Sequence, residues 1–167
     1  MIKPEKISND IVQLLQKRLL DEYNAFYLYR SAANWCQNVG FFKAAVFFKA
    51  ESDDELVHAK KLEDYITDWN VIPALPTIPA PVTSFKDLGE VISKAYEIEY
   101  DLYQKYEDTS NKIFKQGEVC TFDFLKFFRD IQNQSVAEYS DKLNVLDGVN
   151  VSSKFEMLMV EETLFEG

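Results

Sequence analysis

Asn70-Val71-Ile72-Pro73-Ala74-Leu75-Pro76-Thr77-Ile78-Pro79-Ala80-Pro81-Val82-Thr83-Ser84 is the stretch that decides the topology of this chain. Its spaced prolines, Pro73, Pro76, Pro79 and Pro81, exclude helix and favour an extended, stiff connector. At about 3.1 Å per residue the segment reaches roughly 45 Å, the length of a helix of nearly 30 residues at about 1.5 Å each. Such a connector crosses the whole of a helical bundle, so the helix after it runs parallel to the helix before it. Read instead as an interdomain linker, it would separate two halves that each lack a convincing core.

The flanks supply the helices. Ser8 or Asn9 can cap a first helix that runs to about Cys36 without Pro or Gly. Its inward stripe reads Ile11, Leu15, Leu19 (or Arg18), Glu22, Phe26 (or Ala25), Tyr29, Ala33. After the turn Asn38-Val39-Gly40, a second helix to about Trp69 carries Ala44, Phe48, Glu51, Glu55, His58, Leu62, Tyr65. Beyond the connector, Ser84 with Asp87 resembles a capping box for a third helix with Val91 (or Ile92), Ala95, Glu99, Leu102 and Tyr106 inward. A break at Lys115-Gln116-Gly117 leads to a fourth helix, starting between Glu118 and Thr121, with Leu125, Phe128, Gln132, Ser135, Tyr139, Leu143 and Leu146. Ser153-x-x-Glu156 caps a short apolar fifth helix, to about 165. The expected architecture is all-α, a single domain over 1–167: a four-helix bundle over about 8–147 with one long crossover, plus the short C-terminal helix over about 153–165. An apolar helix outside a completed bundle needs another surface, which points to oligomerisation.

Acids interrupt three of these core stripes, and their spacing is regular. Glu22 precedes Glu55 by 33 residues, and Glu99 precedes Gln132 by 33. The midpoints of both pairs fall in or beside the turns, so in antiparallel hairpins each pair meets at one height. Glu55-Leu56-Val57-His58 adds an imidazole one turn from a carboxylate on the same face. Glu22, Glu55, His58, Glu99 and Gln132 can therefore converge at mid-bundle, and Tyr29, one heptad after Glu22, stands beside them. Buried carboxylates that close repel one another and cost several kcal/mol each to desolvate unless cations neutralise them. Oxygen-rich ligation with one imidazole suits iron or manganese. Glu55 is central enough to bridge two ions. Di-iron carboxylate bundles carry a Glu on each of two helices and Glu-x-x-His on the other two; here the second motif has become Gln132-x-x-Ser135. Glu51 is either an auxiliary or a solvated acid, and Asp53, Asp54 and Glu63 read as surface acids.

Composition narrows the rest. The 167 residues are 47% hydrophobic with 13 Phe and 9 Tyr, and so specify a packed globule. A net charge of -10 disfavours nucleic acid and anionic membranes as partners. Met1-Ile2-Lys3-Pro4-Glu5 lacks an apolar signal region, and no apolar run approaches the roughly 20 residues of a membrane span, so a cytoplasmic protein is expected. Cys36 and Cys120 form neither a disulfide framework nor a rubredoxin-type iron site.

At these residues the chain resembles the non-haem ferritins of prokaryotes. The likeness covers nearly the whole chain: Leu20-Asp21-Glu22-Tyr23, Tyr27-Leu28-Tyr29, Trp35-Cys36, Asp54-Glu55-Leu56-Val57-His58-Ala59, the proline-rich crossover, Glu99, Phe122-Asp123-Phe124-Leu125 leading to Gln132, and the short last helix. The resemblance implies an iron store with ferroxidase activity. Glu22, Glu55 and His58 would hold a first iron, Glu55 would bridge and Glu99 would hold a second. Gln132 would lie near the first iron and the oxygen-binding position, and Tyr29 would act beside the site. Dioxygen or hydrogen peroxide would be the oxidant, and a homo-oligomeric cage of about 24 subunits with the fifth helix at its four-fold contacts would hold the mineral. Leu56 stands where bacterioferritins place a haem-ligating Met, so no haem is expected. Family members with a third iron position carry acids where this chain has Ile131, Gln134 and Ser135, and Val57 and Lys60 replace acids that line the mineral cavity in animal ferritins. Two other readings fit the same fold: a di-iron oxidase or peroxidase that stores nothing, and an inert structural subunit of a cage.

Overall fold

Local capping decides where the helices begin and end in the structure, a computed structural model that describes residues 7–166. α1 (Asn9–Val39) starts at Ser8, whose hydroxyl accepts the Ile11 N–H at 3.3 Å. It closes at Gly40, whose φ of 94° lets its own N–H and that of Phe41 return to the Cys36 carbonyl. α2 (Phe42–Asp68) closes through Asn70, at φ 60°, with the Val71 N–H on the Ile66 carbonyl; asparagine enters this region more readily than other residues with a Cβ. α3 (Leu88–Lys115) ends before Gly117 at φ 75°. α4 (Val119–Leu146) starts at Glu118, which accepts the Thr121 N–H at 2.9 Å, and α5 (Lys154–Phe165) at Ser153, which accepts that of Glu156 at 3.3 Å.

One boundary corrects the sequence reading. The third helix is capped by Asp87, which accepts the Glu90 N–H at 2.8 Å, while Glu90 reaches back to the Lys86 N–H; Ser84 takes no part. The reason is tertiary. Phe85 is buried edge-on against Trp35 of α1, with ring centroids 5.6 Å apart, and this pins the end of the connector before the helix can start. The stretch Met1–Glu5, on which the expectation of no signal region rests, lies outside the described residues. No helix among the described residues is long and apolar enough to cross a membrane.

The connector does cross the bundle. The Ala74 N–H donates to Gln16 at 2.8 Å near the start of α1, and the Val82 carbonyl accepts the Ser31 hydroxyl farther along it. Gln16 to Ser31 spans about 22 Å of helix, and Ala74 to Val82 about 25 Å of extended chain. The linker thus runs alongside α1 and delivers α3 parallel to α2. Cross-bundle bonds agree: Arg18 donates to the Lys105 carbonyl (3.0 Å) and to Thr109 (2.9 Å) while Tyr29, farther along α1, donates to Glu99, which sets α1 antiparallel to α3. Tyr65 meets Thr121 at 2.8 Å and Tyr139 meets Glu51 at 3.1 Å, which sets α2 antiparallel to α4. The inward stripes follow those read from periodicity, with Glu51, Tyr65, Ser135 and Leu143 only partly buried and with Val91 and Ile92 both buried. Leu19 and Arg18 are both buried, and Ala25 is buried where Phe26 is partly exposed.

α5 packs back on its own subunit. Met157, Leu164 and Phe165 are buried, and Phe165 lies against Phe47 and Phe48 of α2 at 5.1 and 5.6 Å. α2 has no side-chain cap from its own N-terminus; buried Glu161 of α5 accepts the Ala44 N–H at 2.9 Å and supplies one. Lys154 donates to the Val39 carbonyl at 2.6 Å, at the C-terminus of α1. The helix is therefore tied to the α1–α2 turn, yet Phe155 remains 73% and Met159 68% exposed on its far side.

Candidate metal centre

Mid-bundle, three of the expected residues come together. Ligand atoms of Glu22 (α1), Glu55 and His58 (α2) all lie within 4.8 Å of one another, and all three side chains are buried. His58 Nδ1 is 3.3 Å from Glu55 Oε2 and 3.6 Å from Glu22 Oε2. The rings of Phe127 and Phe128 stand edge-on to the imidazole at 5.8 and 6.1 Å and hold it facing the acids. Glu99 (α3), Gln132 (α4) and Tyr29 (α1) form the adjoining layer, each no more than 1% exposed. Gln132 Nε2 donates to Glu99 Oε2 at 2.7 Å, and the Tyr29 hydroxyl donates to Glu99 Oε1. Glu99 lies outside the three-residue cluster but close enough for its charge to bear on Glu55.

Tyr106 is the residue that the sequence reading treated only as core. Its hydroxyl donates to Glu22 Oε1, the counterpart of Tyr29 on Glu99. The signal was available: Tyr29 follows Glu22 by seven residues, and Tyr106 follows Glu99 by seven. Tyr139 was passed over in the same way; it stacks on Tyr29 with centroids 6.3 Å apart and donates to Glu51 at 3.1 Å, so Glu51 is a tethered acid and not a freely solvated one. Ser135, at the position matching His58, is only partly buried. Of the acids read as surface, Asp53 and Asp54 are exposed, whereas Glu63 accepts a hydrogen bond from Tyr23.

The electrostatics describe a cluster short of positive charge. Burial pushes the Glu22 carboxyl up, but groups that can donate to it, His58, a protonated Glu55 and Tyr106, outweigh burial and hold it below the ordinary carboxyl range. Glu55 goes well above that range through burial and the charges of Glu22, Glu99 and Glu51. Glu99 rises to about 7, again by burial, against the hydrogen bonds of Tyr29 and Gln132. Burial lowers His58, but Glu22 more than restores it and the imidazole is raised. Glu22 Oε2 is buried without a hydrogen-bond partner at ordinary distance. An orphaned carboxylate oxygen, a second carboxylate and an imidazole nitrogen around one point are a donor set that a divalent cation completes, displacing protons as it binds.

The same burial gives a pH dependence. The Glu51 carboxyl is raised from 4.5 to about 7 by burial and by the charges of Glu138, Glu99 and Asp54, against its bond from Tyr139. A carboxyl whose folded pKa exceeds its unfolded value contributes stability that is complete below the unfolded pKa and is lost as pH rises through the folded one. At roughly 1.4 kcal/mol per unit, the effect is at most about 3.5 kcal/mol. Metal-free protein is therefore expected to lose stability between about pH 4.5 and 7. Denaturant melts across that window, compared with Glu51→Gln, check it: the variant's profile flattens, and parallel profiles would place the dependence on other groups.

Known proteins resemble this chain over most of its length. Among curated relatives, a probable bacterial non-heme ferritin-like protein of Haemophilus influenzae is 29% identical over 143 residues, covering 84% of this chain and 87% of its own. A bacterial non-heme ferritin of Escherichia coli O6:H1 is 25% identical over 154 residues, covering 92% and 88%. In fold, the open-pore ferritin of the archaeon Archaeoglobus fulgidus superposes with a TM-score of 0.89 at 20% identity, covering 96% of this chain and 98% of that one. The family model described as a ferritin-like domain matches residues 12–149, the span that carries the crossover and all six site residues, and the chain belongs to the ferritin family.

Proposed function

We propose that this protein is an iron store with ferroxidase activity, a subunit of a cytoplasmic homo-oligomeric cage of about 24 copies. The observation that carries the reading is the convergence of Glu22, Glu55 and His58 around one point, with the orphaned Glu22 oxygen aimed into it and Glu99 in the next layer. Ferrous iron is the substrate. Glu22, Glu55 and His58 bind the first ion, Glu55 bridges to the second, and Glu99 with Gln132 beside it holds that second ion. Two ferrous ions release one electron each. Dioxygen takes both, with two protons, and leaves as hydrogen peroxide, or hydrogen peroxide takes both, with two protons, and leaves as two waters. The protein's contribution is to hold two like-charged ions close while leaving coordination positions open to the oxidant. Tyr106 and Tyr29 orient the two terminal glutamates, so neither carboxylate has to be ordered when an ion arrives. Storage in a shell also accords with the names of the relatives and with the outer face of α5, which the subunit itself leaves bare.

Val57, 58% exposed, and exposed Lys60 place no acid at those two positions of the α2 surface, which favours, as a second reading, oxidation without storage. One experiment separates the two. Anaerobic titration is expected to show about two ferrous ions bound per subunit. Iron added in air, far beyond that ratio, is expected to sediment with a large protein shell. Uptake that stops at the bound pair would favour the oxidase without storage, and no oxidation above buffer would leave an inert subunit.

A further inference from the structure

The duplicated pattern pairs the two halves of the centre residue by residue: Glu22 with Glu99, Tyr29 with Tyr106, Glu55 with Gln132 and His58 with Ser135. The tyrosines obey it, since each donates to Oε1 of the glutamate in the other half. The second oxygens do not. Glu22 Oε2 has no hydrogen-bond partner at ordinary distance and faces His58 Nδ1 at 3.6 Å. Glu99 Oε2 accepts Gln132 Nε2 at 2.7 Å, and the same nitrogen lies 3.3 Å from the Glu99 carbonyl. Both groups facing Gln132 are acceptors, so chemistry alone requires the amide nitrogen on this side. The amide has thus taken the oxygen whose counterpart in the other half faces only His58 and Glu55 and has no donor at hydrogen-bond distance.

We propose that Gln132 is a positioning residue that clamps the Glu99 carboxylate, so that the two ions bind in a fixed order, Glu22/Glu55/His58 first and the Glu99 position only after the Gln132 amide lets go. This rests on the reading of these residues as a two-ion site. A buried hydrogen bond from an amide to a carboxylate is among the stronger kinds, because the acceptor is charged and water cannot replace the donor. An ion approaching Glu99 Oε2 meets the N–H where it needs a lone pair. Entry therefore costs the Gln132 bond, a cost that the first position does not carry, because the groups facing Glu22 Oε2 there, His58 and Glu55, are themselves ligands of that position. Tyr29 on Oε1 holds the other oxygen in place meanwhile, so the clamp acts on a carboxylate that cannot simply turn away.

Cobalt(II) is the probe: it does not oxidise under these conditions, and its visible absorption reports each coordination step separately. In the assembled wild-type protein, titration is expected to give a tight step and a second at least about 10-fold weaker. Gln132→Leu keeps the volume without the donor, and Gln132→Glu restores the duplicated acid. Both are expected to tighten the second step by about 10-fold or more while moving the first by less than about 3-fold. Far-UV circular dichroism checks that each variant is folded, and the unmoved first step shows the centre intact. A second step unchanged in both variants, or weakened in both because the Gln132 carbonyl is itself a ligand, overturns the clamp. Absence of the first step in wild type overturns the two-ion reading as well, so the two failures are distinguishable.

Discussion

Glu55→Gln is expected to abolish fast ferrous iron oxidation and, at the same time, to make the metal-free protein more stable. The two effects have one cause. Glu55 is 4% exposed, faces Glu22 and Glu99, and has its pKa driven well above the ordinary range first by burial and then by those charges. In the absence of a cation its carboxyl is held protonated at a pH where the unfolded chain ionises it, and the isosteric amide removes that cost without opening a cavity. A gain of about 1–2 kcal/mol in the metal-free state follows, the size usual when a functional site is relieved of its strain. The same change deletes the ligand shared between the two ion positions. Loss of an outer-shell partner costs about 10–100-fold in metal affinity or activity, so losing the shared ligand should cost at least about 100-fold in initial oxidation rate. Stopped-flow oxidation in air and thermal melts of the metal-free protein measure both. His58→Ala is expected to lose the rate as well, but with a stability loss, because Phe127 and Phe128 then face a void. Wild-type rates in either variant would sink the assignment, and a Glu55→Gln protein that is merely less stable would make Glu55 a structural acid.

Burial and height, which depend on position along a helix, were legible in the sequence. Glu22, Glu55 and Glu99 were found because acids in an apolar stripe are costly, and their heights followed from distance to the turns. Contacts depending on where a side chain ends were not legible. Tyr106 and Leu102 look alike in a periodic stripe; only the hydroxyl's arrival at Glu22 sets Tyr106 apart. Gln132 was expected beside the site, but which Glu99 oxygen it holds is a matter of rotamer, which spacing does not encode. Ser84 and Asp87 are both strong N-cap formers, and the choice fell to the packing of Phe85 on Trp35, a contact between residues far apart in the chain. Glu161 hid for a similar reason. An acid in a short apolar helix reads as its solvated edge, whereas here it completes the N-terminus of another helix.

Removing residues 151–167 is expected to break the large assembly while leaving the four-helix bundle folded, and α5 shows why the two consequences can be separated. Its inner face serves the subunit: Met157, Leu164 and Phe165 are buried against the bundle, and Glu161 caps α2. Its outer face, with Phe155 73%, Leu158 42% and Met159 68% exposed, contributes nothing to a lone subunit and offers contiguous apolar surface to a neighbour. Substitutions on opposite faces should therefore fail in opposite ways. Phe155→Asp with Met159→Asp is expected to yield small oligomers by native mass spectrometry at nearly unchanged subunit stability, because these side chains leave no cavity and each like charge placed at a self-association contact repels its copy. Glu161→Ala is expected to lower subunit stability by about 1–2 kcal/mol, the usual cost of losing a helix cap, with assembly retained. The deletion combines both. An intact large shell from the truncated chain would show that the fifth helix is only a brace for its own bundle.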